Sequence, residues 1–379
     1  MTEPSGAPFD PSNALGDPGW QPEVRAKGGP LNVGVPDTAL DFLTHGPLEV
    51  RACSSRGWSH RYLGTPRQDS FCLWADDQVL VVGVADGVSE SPQSQVAAET
   101  GARSAVKLAA DAVARSGGVD WVNLSRRVSL RIVDEAEYRQ LAAAAGENPS
   151  IEARLRATRQ AMATTLIVAV IRTTPTPDGF PCEVGVVAGD SAAYVLAGGA
   201  LTPVSGGKDL TGPIASSHVR PLPGAVEPES VRFHLRPGEA LVVGTDGIGD
   251  IVGDGTGEAA LVLAERWTRP PTIDRFLCDV NAYRRTFDDD RTAVVVWVSA
   301  DAVLPPVPAD EPVVAAVAAE AVVASEEPST EASSGGGADA SDASDVLDAP
   351  TIVLEILSER PEADAATPAD QGDEGDSPQ

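Results

Sequence analysis

Basic residues are scarce. The chain holds 28 Lys and Arg against 56 Asp and Glu, a formal net charge of −28. A chain this acidic offers no positive footprint for nucleic acid. Cysteine is rare as well. Cys53, Cys72, Cys182 and Cys278 form no CxxC pair and fit no zinc spacing, which excludes a zinc finger or ribbon. Cys72 and Cys182 lie in strand-like runs and are expected as small core residues, with the thiols reduced and buried. Long hydrophobic runs are missing too. The best, VVAAVAAEAVVA (residues 313–324), is broken by Glu320 and falls far short of the ~20 residues of a membrane span. The N-terminus MTEPSGAPFDPSN has neither the basic nor the apolar region of a signal peptide. The expectation is a cytoplasmic protein without membrane or nucleic-acid partners.

The charge that is present is uneven. Residues 301–379 carry 19 acidic residues and one Arg, and no aromatic residue. With SSGGGADASDASD at its centre, this stretch reads as a disordered acidic tail rich in Ala, Pro and Ser. Its apolar island APTIVLEIL (residues 349–357) is either a docking peptide or an inert frayed segment. Thr351 within it, if phosphorylated, would suit a phosphothreonine-reading module. Residues 1–45, rich in Pro and Gly, read as a flexible N-terminal arm. Residues 46–300 remain as one folded domain.

Within that domain, strands are expected at LEVRACSS, SFCLWAD and QVLVVGVAD, the last two as a hairpin. Ser91-Pro92 opens a helix running to about Ser116, and a second helix spans about 121–145. TTLIVAVIRT, CEVGVVAGD and AAYVLAGG read as strands, and 202–230 as a Pro/Gly-rich loop suited to a substrate-facing flap. VRFHLRPG and EALVVGTDG suggest another hairpin, helices follow near 257–267 and 272–285, and TAVVVWVS closes the domain. Hairpin-linked strands and paired helices, without strand–helix alternation, point to an α+β fold of antiparallel sheets covered by helices.

Carboxylates cluster at the strand ends. VLVVGVADG (residues 79–87) and ALVVGTDG (residues 240–247) both drive an apolar strand into Asp-Gly. Asp69 precedes one strand, Asp190 ends another, and Asp288, Asp289 and Asp290 precede the last. A buried strand ending on a charge needs a partner for it. An oxygen-rich set with few histidines suits hard cations such as Mg²⁺ or Mn²⁺. One Asp-Gly alone is an ordinary turn; their joint order carries the signal. DGIGDIVGDGTGE does not make a calcium loop, because its Asp spacing is four and its twelfth position is Gly257.

Five blocks in sequence, SHRYLGTPRQDSF, VADGVSESPQSQVAAETGA, MATTLIVAVI, VVAGDSAAYVL with TDGIGD, and DDDRTAVVVWV, resemble the metal-dependent serine/threonine protein phosphatases, the PPM or type 2C family. The Gln68-Asp69 pair is similar to a bacterial branch of it. The resemblance implies a four-layer α-β-β-α sandwich with two Mg²⁺ or Mn²⁺ ions at one end. Asp86 would bridge the ions and the Gly87 carbonyl would bind one. Asp246 and Asp289 would complete the second ion's shell, Asp69 would hold metal-bound water, and Asp190 would support the site structurally. The implied reaction is hydrolysis of phosphoserine or phosphothreonine in proteins, opposing a serine/threonine kinase.

The chain also departs from the family's pattern. Gly64 stands where an Arg often grips phosphate, leaving Arg61 or Arg67 as substitutes. Val88 replaces a frequent His, so His60 is either a general acid or a hydrogen-bonded surface histidine. Gln68 replaces a Glu and Ala163 a Gly. TRQAMATT offers no Asp for a third ion, and GDSAA lacks an Arg after GDS. These departures keep two alternatives open: a catalytically weak or inactive binding module on the same fold, and an unrelated acidic scaffold whose Asp-Gly pairs are only turns.

Overall fold

The computed structural model describes Leu15 and residues 37–142, 148–206, 220–284 and 287–307. All belong to one compact unit, Met1–Asp310. The acidic tail beyond 307, with APTIVLEIL and Thr351, lies outside the described residues, as does most of the N-terminal arm.

The strands are β1 (Thr38–His45), β2 (Leu48–Ser55), β3 (Ser70–Ala75), β4 (Val79–Ala85), β5 (Leu166–Arg172), β6 (Phe180–Ala188), β7 (Ala192–Ala197), β8 (Ala200–Gly206), β9 (Glu229–Leu235), β10 (Ala240–Gly244) and β11 (Arg291–Val298). The helices are α1 (Trp58–Leu63), α2 (Ser94–Ser116), α3 (Trp121–Tyr138), α4 (Ile151–Ala161), α5 (Asp246–Val252), α6 (Glu258–Arg266) and α7 (Ile273–Val280). Sheet one has the order β1-β2-β11-β10-β7-β8 and sheet two β3-β4-β5-β6-β9. Every pairing is antiparallel.

Why the sheets stack is visible in single strands. In β4 every residue is buried. Leu80, Val82 and Val84 enter the core between the sheets, while Val79 and Val81 pack under α2 and α3. In β11, Val294, Val296 and Val298 face the same inner core, and Ala293, Val295 and Trp297 pack under α5, α6 and α7. A strand covered on both faces loses the apolar–polar alternation of a half-buried one. The result is the α-β-β-α sandwich of the α+β class.

Several elements differ from the sequence reading. Thr38–His45 is a strand rather than the end of an arm; being an edge strand with mostly exposed side chains, it carries little apolar signal. β9 and β10 are not a hairpin. β9 pairs with β6 in sheet two, and β10 lies between β7 and β11 in sheet one. β10 is buried on both faces and so needs a strand on each side, whereas the alternating β9 tolerates an edge. The second helix stops at Tyr138, past which Gln140 adopts φ +57°, and helix resumes as α4. α5 is a short helix where Asp246-Gly247 reads as a turn, and α1 is a short helix in a stretch given no element. β8 occupies the start of the loop assigned to 202–230, whose residues 207–219 lie outside the described set. Leu222 ties the end of that loop to Thr164 through two backbone hydrogen bonds of 2.9 and 3.0 Å. All four cysteines are free; Cys53 and Cys182 are buried, Cys72 is part-buried, and Cys278 is exposed rather than buried. No helix among the described residues is long and apolar enough to cross a membrane.

The registers gather the strand ends. In sheet one, Ser55 lies opposite Arg291, and Gly244 opposite Ala192 and Ala293. In sheet two, Ser70 lies opposite Ala85, and Leu166 opposite Ala188. Asp69, Asp86, Asp190, Asp246 and the 288–290 run each adjoin one of these ends.

Candidate metal centre

Asp69 joins the two sheets. It precedes β3 of sheet two, is 3% exposed, and its Oδ2 accepts the hydroxyls of Thr245 and Thr292 from sheet one, both at 2.8 Å. Each hydroxyl has one proton, and here it goes to the carboxylate. Ser54, 2.7 Å from Thr292 Oγ1, therefore donates to Thr292. The Thr292 N–H in turn donates to Thr245 Oγ1 at 3.1 Å.

Asp86 follows β4. Its N–H donates to Thr165 Oγ1 (3.0 Å), and its carbonyl accepts from Thr165 N–H (2.7 Å) and Thr164 Oγ1 (2.9 Å). Thr165 Oγ1 also meets Ser191 Oγ at 3.2 Å, so the turn holding Asp190 reaches the site through Ser191. At Gly87 a Cβ would lie 2.8 Å from the Ser94 backbone and 2.9 Å from the Gln68 carbonyl, so only glycine lets these three segments close.

Asp246 opens α5 directly after Thr245. With Asp250, Asp288, Asp289 and Arg291 it lines a cleft of about 190 Å³. A side chain at Gly247 would collide with the carbonyl of Asp290, which holds α5 against the 288–290 segment. Asp289 is exposed, and its Oδ1 accepts the N–H of Asp290 at 2.8 Å.

Asp290 is the knot behind these groups. It is 2% exposed; Oδ1 accepts the Gly57 N–H (2.6 Å) and meets His60 Nδ1 (2.8 Å), while Oδ2 accepts the Gln68 N–H (2.5 Å). His60 is buried. Burial opposes its charged form, but the Asp290 hydrogen bond and the charges of Asp290, Asp289 and Asp69 prevail and raise its pKa. His60, Asp289 and Asp290 bring donor atoms within 4.8 Å of one another, though three of the Asp290 and His60 positions already serve hydrogen bonds.

The arginines read as phosphate ligands are both engaged. Arg61 bonds Asp37 at 2.8 Å and lies over the Trp58 ring at 4.8 Å. Arg67 donates Nε to the Asp69 carbonyl (3.1 Å) and Nη1 to the Ser54 carbonyl (3.2 Å).

Electrostatics show which carboxylates share space. Burial first, then the charges of Asp69, Asp246 and Asp289 and a hydrogen bond to Asp69, push the Asp86 carboxyl well above the usual range. Asp69 rises for similar reasons, burial first and then Asp290 and Asp289, against the two threonine hydroxyls. Asp289, though exposed, is partly desolvated by the neighbouring groups, which raises its pKa, with the charges of Asp290 and Asp288 adding to the rise and the Asp290 N–H and His60 opposing it. Like charges this close cannot all ionise unless cations or protons join them. Two buried oxygens beside the cluster, Gln68 Oε1 and Ser94 Oγ, have no hydrogen-bond partner among the described residues. An all-oxygen donor set in which carboxylates outnumber the neighbouring cations His60 and Arg291 fits hard divalent cations.

The fold thus brings Asp69, Asp86, Gly87, Asp246 and Asp289 together, with His60 behind them. It turns Arg61 toward Asp37 and places Arg67 beneath Asp69. The sequence reading named Asp290 as a strand-end acid but not as a lock, and it missed Thr245, Thr292 and Ser54. It saw the spacing of four between Asp246 and Asp250 but gave Asp250 no role in the cleft it lines. It also missed Arg291, a charged residue opening a wholly buried strand. Arg291 donates to the carbonyls of Ala282 and Phe287, and burial followed by the charges of Arg284 and Arg61 pushes its pKa down to about 10.

Among solved structures, the chain is similar to a bacterial serine phosphatase at 16% identity and TM-score 0.47, covering 68% of this chain and 100% of that one. It is similar to the S. agalactiae serine/threonine phosphatase at 16% identity and TM-score 0.45, covering 66% and 100%. It is also similar to the Mycobacterium tuberculosis serine/threonine phosphatase PstP/Ppp at 18% identity and TM-score 0.43, covering 66% and 99%. No curated protein matches the chain. Residues 56–277, more than half of the sequence, match the family model of protein phosphatase 2C, and the chain belongs to that family.

Proposed function

We propose that this protein is a metal-dependent phosphatase that hydrolyses phosphoserine and phosphothreonine monoesters in proteins, counteracting a serine/threonine kinase in the cytoplasm. The observation that carries this reading is the meeting of carboxylates from four separate segments: Asp69, tied across the sheets to Thr245 and Thr292, and Asp86, which feels the charges of Asp69, Asp246 and Asp289.

Asp86, the Gly87 carbonyl, Asp246 and Asp289 would hold two Mg²⁺ or Mn²⁺ ions. Bound there, the ions supply an acidified water and stabilise charge on the attacking and leaving oxygens. Asp69 would orient the attacking water, and the hydroxyls of Thr245 and Thr292, both on Oδ2, leave Oδ1 for that role. Asp290 keeps the Gly57 and Gln68 backbones, and hence Asp69, in place. His60, held at Nδ1 by Asp290 behind the carboxylates, is the candidate general acid for the leaving oxygen. Arg61 and Arg67 are the candidate phosphate ligands. A cysteine phosphoenzyme is disfavoured: burial pushes the Cys53 thiol up to about 12 and that of Cys182 upward.

The ion pair of Arg61 with Asp37 favours a second reading, a phosphatase-fold binding module with weak or no turnover. The two separate on p-nitrophenyl phosphate and a phosphothreonine peptide. Metal-dependent hydrolysis that EDTA abolishes and Asp86→Asn removes is expected of the enzyme. Metal binding without turnover of either substrate would select the module.

A further inference from the structure

Beside the metal centre, the open edge of sheet two runs past Asp69. β3 pairs with β4 on one side and, among the described residues, with no strand on the other. It is part-exposed along its length, whereas β4 is buried throughout. Ser70 and Phe71, neighbours that point to opposite faces of a strand, both border a groove of about 400 Å³, so the strand edge itself forms the floor. Gln95, Glu99 and Arg103 of α2 form the wall; spaced by four, they stand above one another on one helix face. The groove closes on Arg67 and Asp69, which makes it continuous with the site.

The charge along the groove is graded. At its head, Arg67 uses Nε and Nη1 on backbone carbonyls, and no acceptor among the described residues takes Nη2. In the middle stands Glu99. At the far end Arg103 is bonded to Glu99 at 2.9 Å, with both side chains more than half exposed, a pair that solvent weakens. One turn further, Lys107 lies over the Trp74 ring of β3 at 5.4 Å. From Gln95 to Arg103 the helix rises about 12 Å, the reach of about three to four residues of extended chain.

We propose that this groove receives the substrate polypeptide in extended form beside β3, and that Arg103 selects an acidic side chain about three to four residues from the phosphorylated one. Edge strands accept extended peptides through main-chain hydrogen bonds, with side-chain contacts supplying selectivity. Glu99 repels an acid placed closer, which sets the spacing. The inference rests on the phosphatase reading and narrows it from phosphoproteins in general to those with an acidic flank.

The test is a scan of phosphothreonine peptides in which one Glu is moved from six residues before to six after the phosphorylated residue, using the full chain with Mn²⁺. Wild type is expected to favour Glu at the third or fourth position on one side by about two- to five-fold in kcat/KM, the range of an exposed ion pair. Arg103→Glu is expected to remove that preference and to favour Lys there. A flat scan, or one that Arg103→Glu leaves unaltered, overturns the inference while hydrolysis of p-nitrophenyl phosphate keeps the phosphatase reading standing. If no substrate is turned over, that reading fails, and fluorescence-polarisation binding of the same peptides decides the groove. Equal affinity for acidic and neutral flanks overturns the inference there as well, and a preference that Arg103→Glu reverses supports it.

Discussion

Two carboxylate sites in this molecule, one buried at Asp279 and one part-buried at Asp86, have opposite surroundings. Asp279, on α7, is 1% exposed and meets Arg275 at 3.0 Å, Arg266 at 3.1 Å and the Trp267 indole N–H at 3.3 Å. Burial alone raises its pKa, and every neighbour acts to lower it. At Asp86 the burial is joined by three further carboxylates, and every named neighbour raises the pKa. A buried acid ringed by arginines is a structural device. An acid ringed by acids is the arrangement expected where a cation binds. What sets the two apart is the sign of the neighbouring charge.

The sharpest way to break this comparison is activity. Asp86→Asn, or EDTA on wild type, is expected to lower hydrolysis of p-nitrophenyl phosphate by about 100-fold or more, the scale of losing one preorganised charge-stabilising group. Asp279→Asn is expected to leave the rate of the folded enzyme within about twofold. Equal losses in both variants would remove the distinction.

Metal-induced stabilisation comes next. At 100 times its Kd, a bound ion stabilises by about 2.7 kcal/mol. Adding Mn²⁺ should raise the melting temperature of wild type and of Asp279→Asn, but that of Asp246→Asn or Asp86→Asn much less. A rise of the same size in all four proteins would place the ion elsewhere.

Stability without metal should then move in opposite directions. Asp279→Asn strips charge from its bonds to Arg266, Arg275 and Trp267 and is expected to destabilise by about 1–3 kcal/mol. Asp86→Asn in EDTA relieves repulsion and is expected to stabilise, by about 1 kcal/mol or less. Urea unfolding of the two variants reads both signs.

The smallest effect is the pH dependence of that last difference. The folded-state pKa values of Asp69 and Asp86 are raised, so in the metal-free protein their favourable contribution is complete below the ordinary carboxylate pKa. It is lost as pH rises through the raised values. Metal-free wild type and Asp86→Asn should therefore unfold alike in acid, with the variant becoming relatively more stable as pH climbs toward neutrality. A gap that narrowed on raising the pH would have the wrong sign.

Some of this was open to view in the chain. β4, β10 and β11 are legible because burial on both faces demands unbroken apolar runs, and Asp86, Asp246 and Asp289 stand out because they end or precede such runs. β1 and β8 were not legible, since an exposed edge strand has little need of apolar residues. The separation of β9 from β10 was hidden for another reason: a tight turn looks the same whether the strands it joins pair or part. The locks on the site were invisible because their partners are distant in sequence. Asp69 is held by Thr245 and Thr292, and Asp290 by Gly57, His60 and Gln68.

By itself the sequence determined the α+β class, because local hydrophobic pattern encodes it, and it marked a set of carboxylates at strand ends; only the family resemblance assigned Asp86, Asp246 and Asp289 to a metal centre. Tertiary structure alone decided which acids share a pocket, which hydroxyls orient Asp69, and that Arg61 turns to Asp37 while Arg67 supports Asp69 from beneath. The physical reason is range: an apolar period is written within a few consecutive residues, whereas a hydrogen bond or a repulsion between charges exists only once folding has brought distant groups within a few ångströms.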